Sequence, residues 1–247
     1  MIAGVVFCPA TPLLLRELTG LEDVAADLRS RCVETLASAL ESVAEAAGQP
    51  GEVVVIAGGE LTGELPPGAP DAVHRYARGI DRSRGSAPPR DAPVPLGTTI
   101  ARRLLADAGW GGPVRLLAVR EDETPAVCRA LGESLTEGAA QVVLVVMGDG
   151  SARRDLKAPG YLDDRAKGYD DAVATALGGP DVEALLGLDF GLAARLLVTG
   201  RAPWQVAAAA VRRGGVDGWV GSVVHREAPL GVEYLLATWL PGGPDSW

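Results

Sequence analysis

A glycine-rich turn with an acid, a hydroxyl group and two arginines follows an apolar run of strand length. The run is Val142–Met147, and residues 148–154 read Gly-Asp-Gly-Ser-Ala-Arg-Arg. Backbone N–H groups of such a turn could cradle a phosphate, and the arginines could add bidentate contacts. The sequence has neither the Gly-x-x-x-x-Gly-Lys nor the Gly-x-Gly-x-x-Gly pattern of the common phosphate-binding loops. The turn is therefore a candidate site, for an anion or for catalysis.

The composition limits the kinds of partner. The chain has 247 residues and a formal net charge of −9, which argues against nucleic-acid binding because that depends on neutralising phosphates. No apolar run approaches the roughly 18 residues of a membrane-spanning helix, and the first residues lack the basic segment of a signal peptide. We therefore expect one domain over residues 1–247, in the cytoplasm, with neither nucleic acid nor membrane as a partner.

Apolar runs of strand length alternate with segments of helical spacing. The runs are residues 2–7, 53–57, 114–119, 142–147, 219–224 and 232–239. One long amphipathic helix is predicted by apolar residues that recur every three or four positions, namely Val24, Leu28, Cys32, Leu36, Leu40 and Val43. This alternation is typical of a three-layer α/β fold, with a mixed, mostly parallel sheet flanked by helices.

Two segments depart from the alternation. Residues 63–97 hold seven prolines and little periodicity, so we expect irregular structure there, followed by a helix that Thr98 and Thr99 cap. Residues 163–213 read as a series of helices. In open α/β sheets ligands bind beyond the carboxyl ends of the strands, which is where the 148–154 turn is expected.

The turn and its neighbours resemble a segment of the class III extradiol dioxygenase B-subunit superfamily. In that family a strand ends in Gly-Asp-x-Ser-His-Arg, and an Ala-Pro-Gly-Tyr-like turn and a helix with a Tyr/Phe-Asp pair follow. The counterparts here are Gly148, Asp149, Ser151, Arg153, Ala158, Pro159, Gly160, Tyr161, Tyr169 and Asp170. Residues 5–18 resemble the family's first strand and turn, and residues 225–239 resemble its final strand pair. The fold that this resemblance implies is extradiol dioxygenase B-subunit-like.

The resemblance also implies which residues have been lost. Ring-cleaving members hold a non-haem Fe(II) with two histidines and a glutamate, and use a further histidine as an acid and base. The two ligand histidines fall on Ala10 and on or beside Gly59, and the acid/base histidine falls on Ala152. Only the glutamate has a counterpart, Glu227, and Glu60 could add a second carboxylate for a hard divalent ion. Because alanine and glycine offer no lone pair, we expect no cofactor at this site.

These losses predict a protein that keeps the fold and the cleft but has lost Fe(II)-dependent ring cleavage. It would bind a small ligand, or a protein partner, in the old pocket. The positive charge of Arg153, with no metal beside it, favours a carboxylate or phosphate ligand. The residues expected to line the pocket are Asp149, Ser151, Arg153, Tyr161 and Glu227.

Two catalytic alternatives stay open. His225 and Glu227 are two residues apart on a predicted strand, so they should point to the same face. With His74 from the long 63–97 segment they could hold Fe(II) or another divalent metal, as in an active dioxygenase or hydrolase. A metal-free catalyst using Asp149 and Glu227 is the second alternative. The resemblance also favours a homodimer, because enzymes of this class are often multimeric.

Overall fold

The computed structural model of the protein describes residues 1–19, 22–66, 68–71, 73, 94–136, 141–215 and 218–242. Within these ranges the three-layer α/β fold is confirmed. The strands are β1 (Ile2–Cys8), β2 (Glu52–Gly59), β3 (Gly63–Glu64), β4 (Val114–Arg120), β5 (Val142–Met147), β6 (Trp219–Glu227) and β7 (Tyr234–Pro241). The helices are α1 (Ala26–Ala47), α2 (Leu96–Asp107), α3 (Pro125–Ser134), α4 (Arg165–Gly178), α5 (Val182–Leu186), α6 (Phe190–Arg195) and α7 (Arg201–Gly214). His74 and most of the 63–97 segment lie outside the described residues.

Four adjacent strands of the sheet are parallel. The order across the sheet is β3-β4-β2-β5-β1-β7-β6. Strands β4, β2, β5 and β1 run parallel, whereas β3, β7 and β6 are antiparallel to their neighbours. The chain passes from β1 to β2 and β4 before it returns to β5 between β1 and β2, so the strand order reverses there. A crevice at the carboxyl ends of the strands around such a reversal is the usual ligand site of an open α/β sheet.

Helices cover both faces of the sheet. Helices α1 and α2 pack on one face, α4 and α7 pack on the other, and α3 and α5 pack against α7. All six residues of β5 are buried, as expected for a central parallel strand that is covered on both faces. The segment predicted as helical, residues 163–213, contains α4, α5, α6 and all of α7 except its last residue, Gly214. Among the described residues, no helix is long and apolar enough to cross a membrane.

The starts of two helices differ from the prediction. Helix α1 buries the predicted stripe, including Cys32 and Leu36, but begins after Val24, which is exposed. Helix α2 begins at Leu96, so Thr98 and Thr99 are buried inside it rather than capping it. The Thr98 hydroxyl donates to the carbonyl oxygen of residue 95 at 2.8 Å. Packing of the first turn of α2 against β2 and β5 decides where the helix starts, and local capping preference does not.

Candidate functional site

A cleft of about 450 Å³ lies at the carboxyl edge of the parallel strands. It is formed by the ends of β1, β2, β4 and β5, by the start of α2, and by Thr199, which lies two residues before α7. Its described lining is Ala10, Pro12, Gly58, Gly59, Glu60, Val94, Pro95, Leu96, Gly97, Glu121, Met147, Asp149 and Thr199. The position agrees with the strand-order reversal at β5 and with the expectation that the 148–154 turn reaches a site.

Glycines at the end of β2 and the start of α2 let the cleft walls approach closely. A Cβ atom on Gly59 would lie 2.7 Å from Cγ of Pro95, and one on Gly97 would lie 3.0 Å from Cβ of Met147. Contacts below about 3 Å require the neighbouring atoms to move. The wall formed by Pro95 therefore takes up the space that a side chain at position 59 would need.

Asp149 contributes a carboxyl group to the cleft lining. The backbone N–H of Ala10 donates to its Oδ1 at 2.9 Å, and its own backbone N–H donates to Oγ1 of Thr199 at 2.9 Å. The pKa of Asp149 is raised to about 7, mainly by burial and to a lesser extent by the negative charge of Glu121, although the hydrogen bond from the N–H of Ala10 lowers it. The carboxyl group therefore exchanges its proton near neutral pH.

Two more carboxyl groups reach the cleft. Glu121 follows β4 directly, and Glu60 follows β2. Glu121 is an exposed residue, yet its pKa is raised, because its carboxyl group loses part of its hydration and because the charges of Asp122 and Glu60 lie nearby. None of the described lining residues is Arg or Lys. The field in the described part of the cleft therefore favours a cation or a hydrogen-bond donor.

A buried arginine holds the turn that presents Glu121. Arg201, at the start of α7, is 1% exposed. Its Nη2 donates to the carbonyl oxygens of Glu121 at 2.6 Å and Glu123 at 2.7 Å, and its Nη1 donates to Oε1 of Gln205 at 2.9 Å. Its guanidinium also lies 4.8 Å from the ring centre of Phe190. Arg201 thus connects α7 to the end of β4 and fixes the position of the Glu121 backbone.

Ser151 is part of a buried ionic network and does not line the cleft. Its N–H and hydroxyl donate to the two carboxylate oxygens of Asp170 at 2.8 and 2.5 Å. Arg154 donates to Asp170 at 3.2 Å and to Glu233 at 2.8 Å, and Arg226 donates to Glu233 as well. Asp170 and Glu233 are almost fully buried. The network ties the turn after β5 to α4 and to the start of β7.

Arg153 and Tyr161 also lie outside the described cleft lining. Arg153 is half-buried beneath the 155–162 loop, and its Nε is buried without a hydrogen-bond partner among the described residues. Its positive charge helps to hold the pKa of Asp163 far below its usual range, although Arg165 is the main cause. Tyr161 is 62% exposed and has a φ of 61°. The structure therefore brings neither side chain to Asp149.

A β-bulge sets the direction of His225 and Glu227. The register of β6 against β7 shifts between Val223 and His225, so His225 lies opposite Leu236 and Glu227 lies opposite Tyr234. The Nε2 of His225 and Oε1 of Glu227 are 3.4 Å apart, on the face of the sheet that α1 covers. Neither residue lines the described cleft. His74, the third member of the proposed metal site, lies outside the described residues.

Two of the three positions expected to have lost a histidine meet in the cleft. Ala10 and Gly59 both line it, whereas Ala152 does not. The backbone of Ala152 donates to Leu196 and accepts from Gly160, under the loop after β5. Throughout the described ranges, no group of three or more His, Cys, Asp or Glu side chains is placed to hold a metal ion. The donor set at Ala10 and Gly59 does not fit a non-haem iron centre.

Sequence reasoning missed three residues that shape the cleft. Glu121 could have been found, because it follows a predicted strand and parallel strands end at one edge of the sheet. Thr199 and Arg201 carry no local signal, since their contacts with Asp149 and Glu121 join distant parts of the chain. Only the folded structure identifies them.

Comparisons with known proteins support the fold and give no activity. No model of a known family matches the chain, and no curated protein matches it. Among solved structures, an uncharacterised protein of Escherichia coli K12, JW3007, is similar to it with a TM-score of 0.51 and 15% sequence identity. The match covers 96% of this chain and 99% of that chain. At this identity the likeness concerns the fold alone.

Proposed function

We propose that this protein is a divergent relative of the class III extradiol dioxygenase B subunits, that it has lost Fe(II)-dependent ring cleavage, and that it binds a small organic molecule in the cleft. One observation carries the proposal. Ala10 and Gly59, the positions on which the resemblance places the two ligand histidines, line the same cleft around Asp149. Two positions far apart in the chain line one cleft, and neither side chain offers a lone pair to a metal ion.

The packing behind Gly59 adds support. A histidine at this position would meet Pro95, whose Cγ lies 2.7 Å from where the Cβ would be. Relative to the family pattern, the difference therefore involves the cleft wall at Pro95 as well as the missing metal-binding histidine at position 59. A site that had lost one metal-binding histidine by a single substitution would keep the space for that side chain.

The charges in the cleft favour a ligand with an ammonium group or another strong hydrogen-bond donor. Asp149, Glu121 and Glu60 all contribute carboxyl groups, and no described lining residue is basic. The expectation of an anionic ligand depended on Arg153, which is not in that lining. An ammonium group beside Asp149 would make charge-assisted hydrogen bonds, which are about twice as strong as neutral ones. Because the pKa of Asp149 is raised to about 7, such a ligand should bind more tightly above neutral pH.

A matched ligand series tests this proposal. Alkylammonium ions, the alcohols of the same shape and the matching carboxylates would be compared by thermal shift and calorimetry at pH 6 and pH 8. We expect the ammonium ions to bind best, with higher affinity at the higher pH. Asp149→Asn should abolish that preference, while Glu41→Gln, at an exposed carboxylate on α1, should leave it unchanged. Preferential binding of the carboxylates would contradict the proposed charge of the ligand.

Metal binding is tested separately. Metal analysis of protein purified without chelator, followed by anaerobic titration with Fe(II), would detect a rearranged site. Stoichiometric iron that His225→Ala abolishes would refute the loss of metal chemistry and would support the alternative site of His225, Glu227 and His74. Absence of binding by all three ligand classes would refute the binding function itself.

Acid–base catalysis without a metal is a second candidate. Its support is the pKa of Asp149, raised to about 7, because a general acid or base works best when its pKa lies near the working pH. A second carboxyl group in the cleft lining is that of Glu121, whose charge contributes to this shift, whereas Glu227 is not among the described lining residues. A ligand found by the series above would be incubated with the protein and followed by NMR. Turnover that Asp149→Asn abolishes would favour the enzyme, and an unchanged ligand would favour the binding protein.

A further inference from the structure

A backbone carbonyl group in the cleft lining has no hydrogen-bond donor. Thr199 lies just before the start of α7, and the residue four positions further on, Pro203, has no N–H to offer its carbonyl oxygen. The first bond of α7 runs instead from the N–H of Trp204 to the carbonyl oxygen of Gly200, at 2.9 Å. Among the residues that the structure describes, none donates to the carbonyl oxygen of Thr199. A ligand in the cleft could supply the missing donor.

Two carboxyl groups lie beside this carbonyl group. A Cβ atom on Gly58 would lie 3.0 Å from the carbonyl oxygen of Thr199, and 3.4 Å from Cγ and 3.8 Å from Oε1 of Glu121. The side chain of Glu121 and the carbonyl group of Thr199 therefore meet at the end of β2. Asp149 contacts the same residue, because its N–H donates to Oγ1 of Thr199 at 2.9 Å. A primary ammonium group has three donors and can bind all three acceptors, whereas a trimethylated ammonium group has none.

A third carboxyl group gives the cleft more negative charge than one ammonium group can neutralise. Glu60 follows Gly59 at the end of β2, is exposed, and makes no hydrogen bond or ion pair with a described residue. Its negative charge helps to raise the pKa of Glu121, so the two carboxyl groups interact. The nearby Arg201 is occupied by two backbone carbonyl oxygens and by Gln205. With no Arg or Lys in the described lining, the remaining charge has to be met by the ligand.

The remainder of the described lining suits a hydrocarbon chain. Apart from the carboxyl groups and Thr199 it consists of glycines and apolar side chains, namely Ala10, Pro12, Val94, Pro95, Leu96 and Met147. These walls offer methylene groups an apolar surface and offer ligand hydroxyl groups no side-chain partner. The volume of about 450 Å³ lies in the range of small-molecule sites.

We propose that the ligand of the cleft is a short linear diamine. One ammonium group donates to Asp149, Glu121 and the carbonyl oxygen of Thr199. The methylene chain lies against the apolar wall, and the second ammonium group lies beside Glu60. Within the described ranges the carboxyl groups are not placed to hold one metal ion together, which favours two separated positive charges over a divalent ion. This inference rests on the proposed binding function and names the class of its ligand.

Calorimetry with three matched ligand types tests the inference on the whole chain. Diamines would be compared with amino alcohols and alkylamines of the same length at about pH 8, where Asp149 is ionised. The diamine should bind at least about fivefold more tightly than the amino alcohol, which is at the upper end for an exposed ion pair and exceeds the statistical advantage of two identical ends. The preference should be greatest at one chain length, because the protein fixes both ends of the ligand.

Glu60→Gln separates the two ends of the ligand. It should reduce the affinity for the diamine to that for the amino alcohol, while the affinity for the alkylamine and the melting temperature without ligand stay unchanged. Glu41→Gln is the matched control, at an exposed glutamate outside the cleft lining, and should keep the preference for the diamine. A preference that survives Glu60→Gln would overturn the position of the second ammonium group.

Methylation of the ligand tests the first ammonium group. An N-trimethylated alkylammonium ion should bind more weakly than the primary amine, because it cannot donate to the carbonyl oxygen of Thr199. Equal binding of the two would overturn the arrangement of three acceptors around a primary ammonium group.

Failure of this inference differs from failure of the proposed function. If alkylamines bind, Asp149→Asn abolishes their binding, and the diamine has no advantage over the amino alcohol, then the cleft holds an ammonium group and the second charged end is refuted. If none of the amines binds, the preference for an ammonium ligand is refuted, and the diamine with it.

Discussion

Replacing Asp149 with asparagine should stabilise the protein at neutral and alkaline pH. Asparagine has nearly the same shape and keeps an oxygen that can accept from the backbone N–H of Ala10, 2.9 Å from Oδ1 in the native chain. It removes the carboxylate whose burial raises the pKa from 3.8 to about 7. A group that costs stability where it sits is expected at a functional site, since binding and catalysis often require an environment that folding alone would avoid.

The magnitude follows from proton linkage. A raised pKa means that the folded chain holds the Asp149 proton in the window from about pH 4 to about pH 7, where the unfolded chain has lost it. The stability that this bound proton gives to the folded chain is fully present below the pKa of Asp149 in the unfolded chain. It is lost as the pH rises through the pKa of Asp149 in the folded chain. At about 1.4 kcal/mol per unit the full shift corresponds to about 4 kcal/mol, and partial exposure of the side chain reduces this to about 2–4 kcal/mol.

Urea unfolding of the wild type and Asp149→Asn from pH 4 to pH 8 would measure the effect. The difference in free energy of unfolding should favour the variant increasingly with pH, by at most about 1.4 kcal/mol per unit, and level off above about pH 7. Glu41→Gln, on the exposed side of α1, should show no such trend. A difference for Asp149→Asn that is independent of pH, or that favours the wild type at pH 8, would refute the argument that burial of this carboxylate dominates its energetics.

Three other substitutions test the contacts around the site. Arg201→Met should lower the free energy of unfolding in urea by about 2–5 kcal/mol, because two carbonyl oxygens lose their donor inside the protein; a loss below about 0.5 kcal/mol would show that water replaces the guanidinium. Ser151→Ala should cost about 1–3 kcal/mol by the same measurement, since a buried carboxylate loses one hydrogen bond, and no change would mean that the ionic network does not need the hydroxyl. Gly59→His should cost about 1–3 kcal/mol through its clash with Pro95, whereas Gly111→His, whose Cβ would have no neighbour within 4 Å, should cost much less; equal losses would contradict the steric argument.

The buried interaction partners explain why much of the candidate site could not be predicted. Ser151 and Arg153 were expected in the pocket because they follow a strand at the carboxyl edge of the sheet. The turn then leads away from that edge, since Ser151 binds Asp170 on α4 and Arg154 reaches Glu233. Local sequence reports that a turn exists and which groups it carries, but it does not report the partners that orient those groups.

What the sequence determined by itself was the layered α/β architecture and the end of the sheet where a site should lie. Both depend on local patterns, because apolar runs and helical spacing follow from backbone periodicity. The tertiary structure decided which groups meet there. Asp149 rather than Arg153 reaches the cleft, Pro95 fills the space beside Gly59, and Arg201 places Glu121 through contacts between distant segments. Long-range packing sets these distances, and with them the burial and charge that decide the chemistry of the glycine-rich turn.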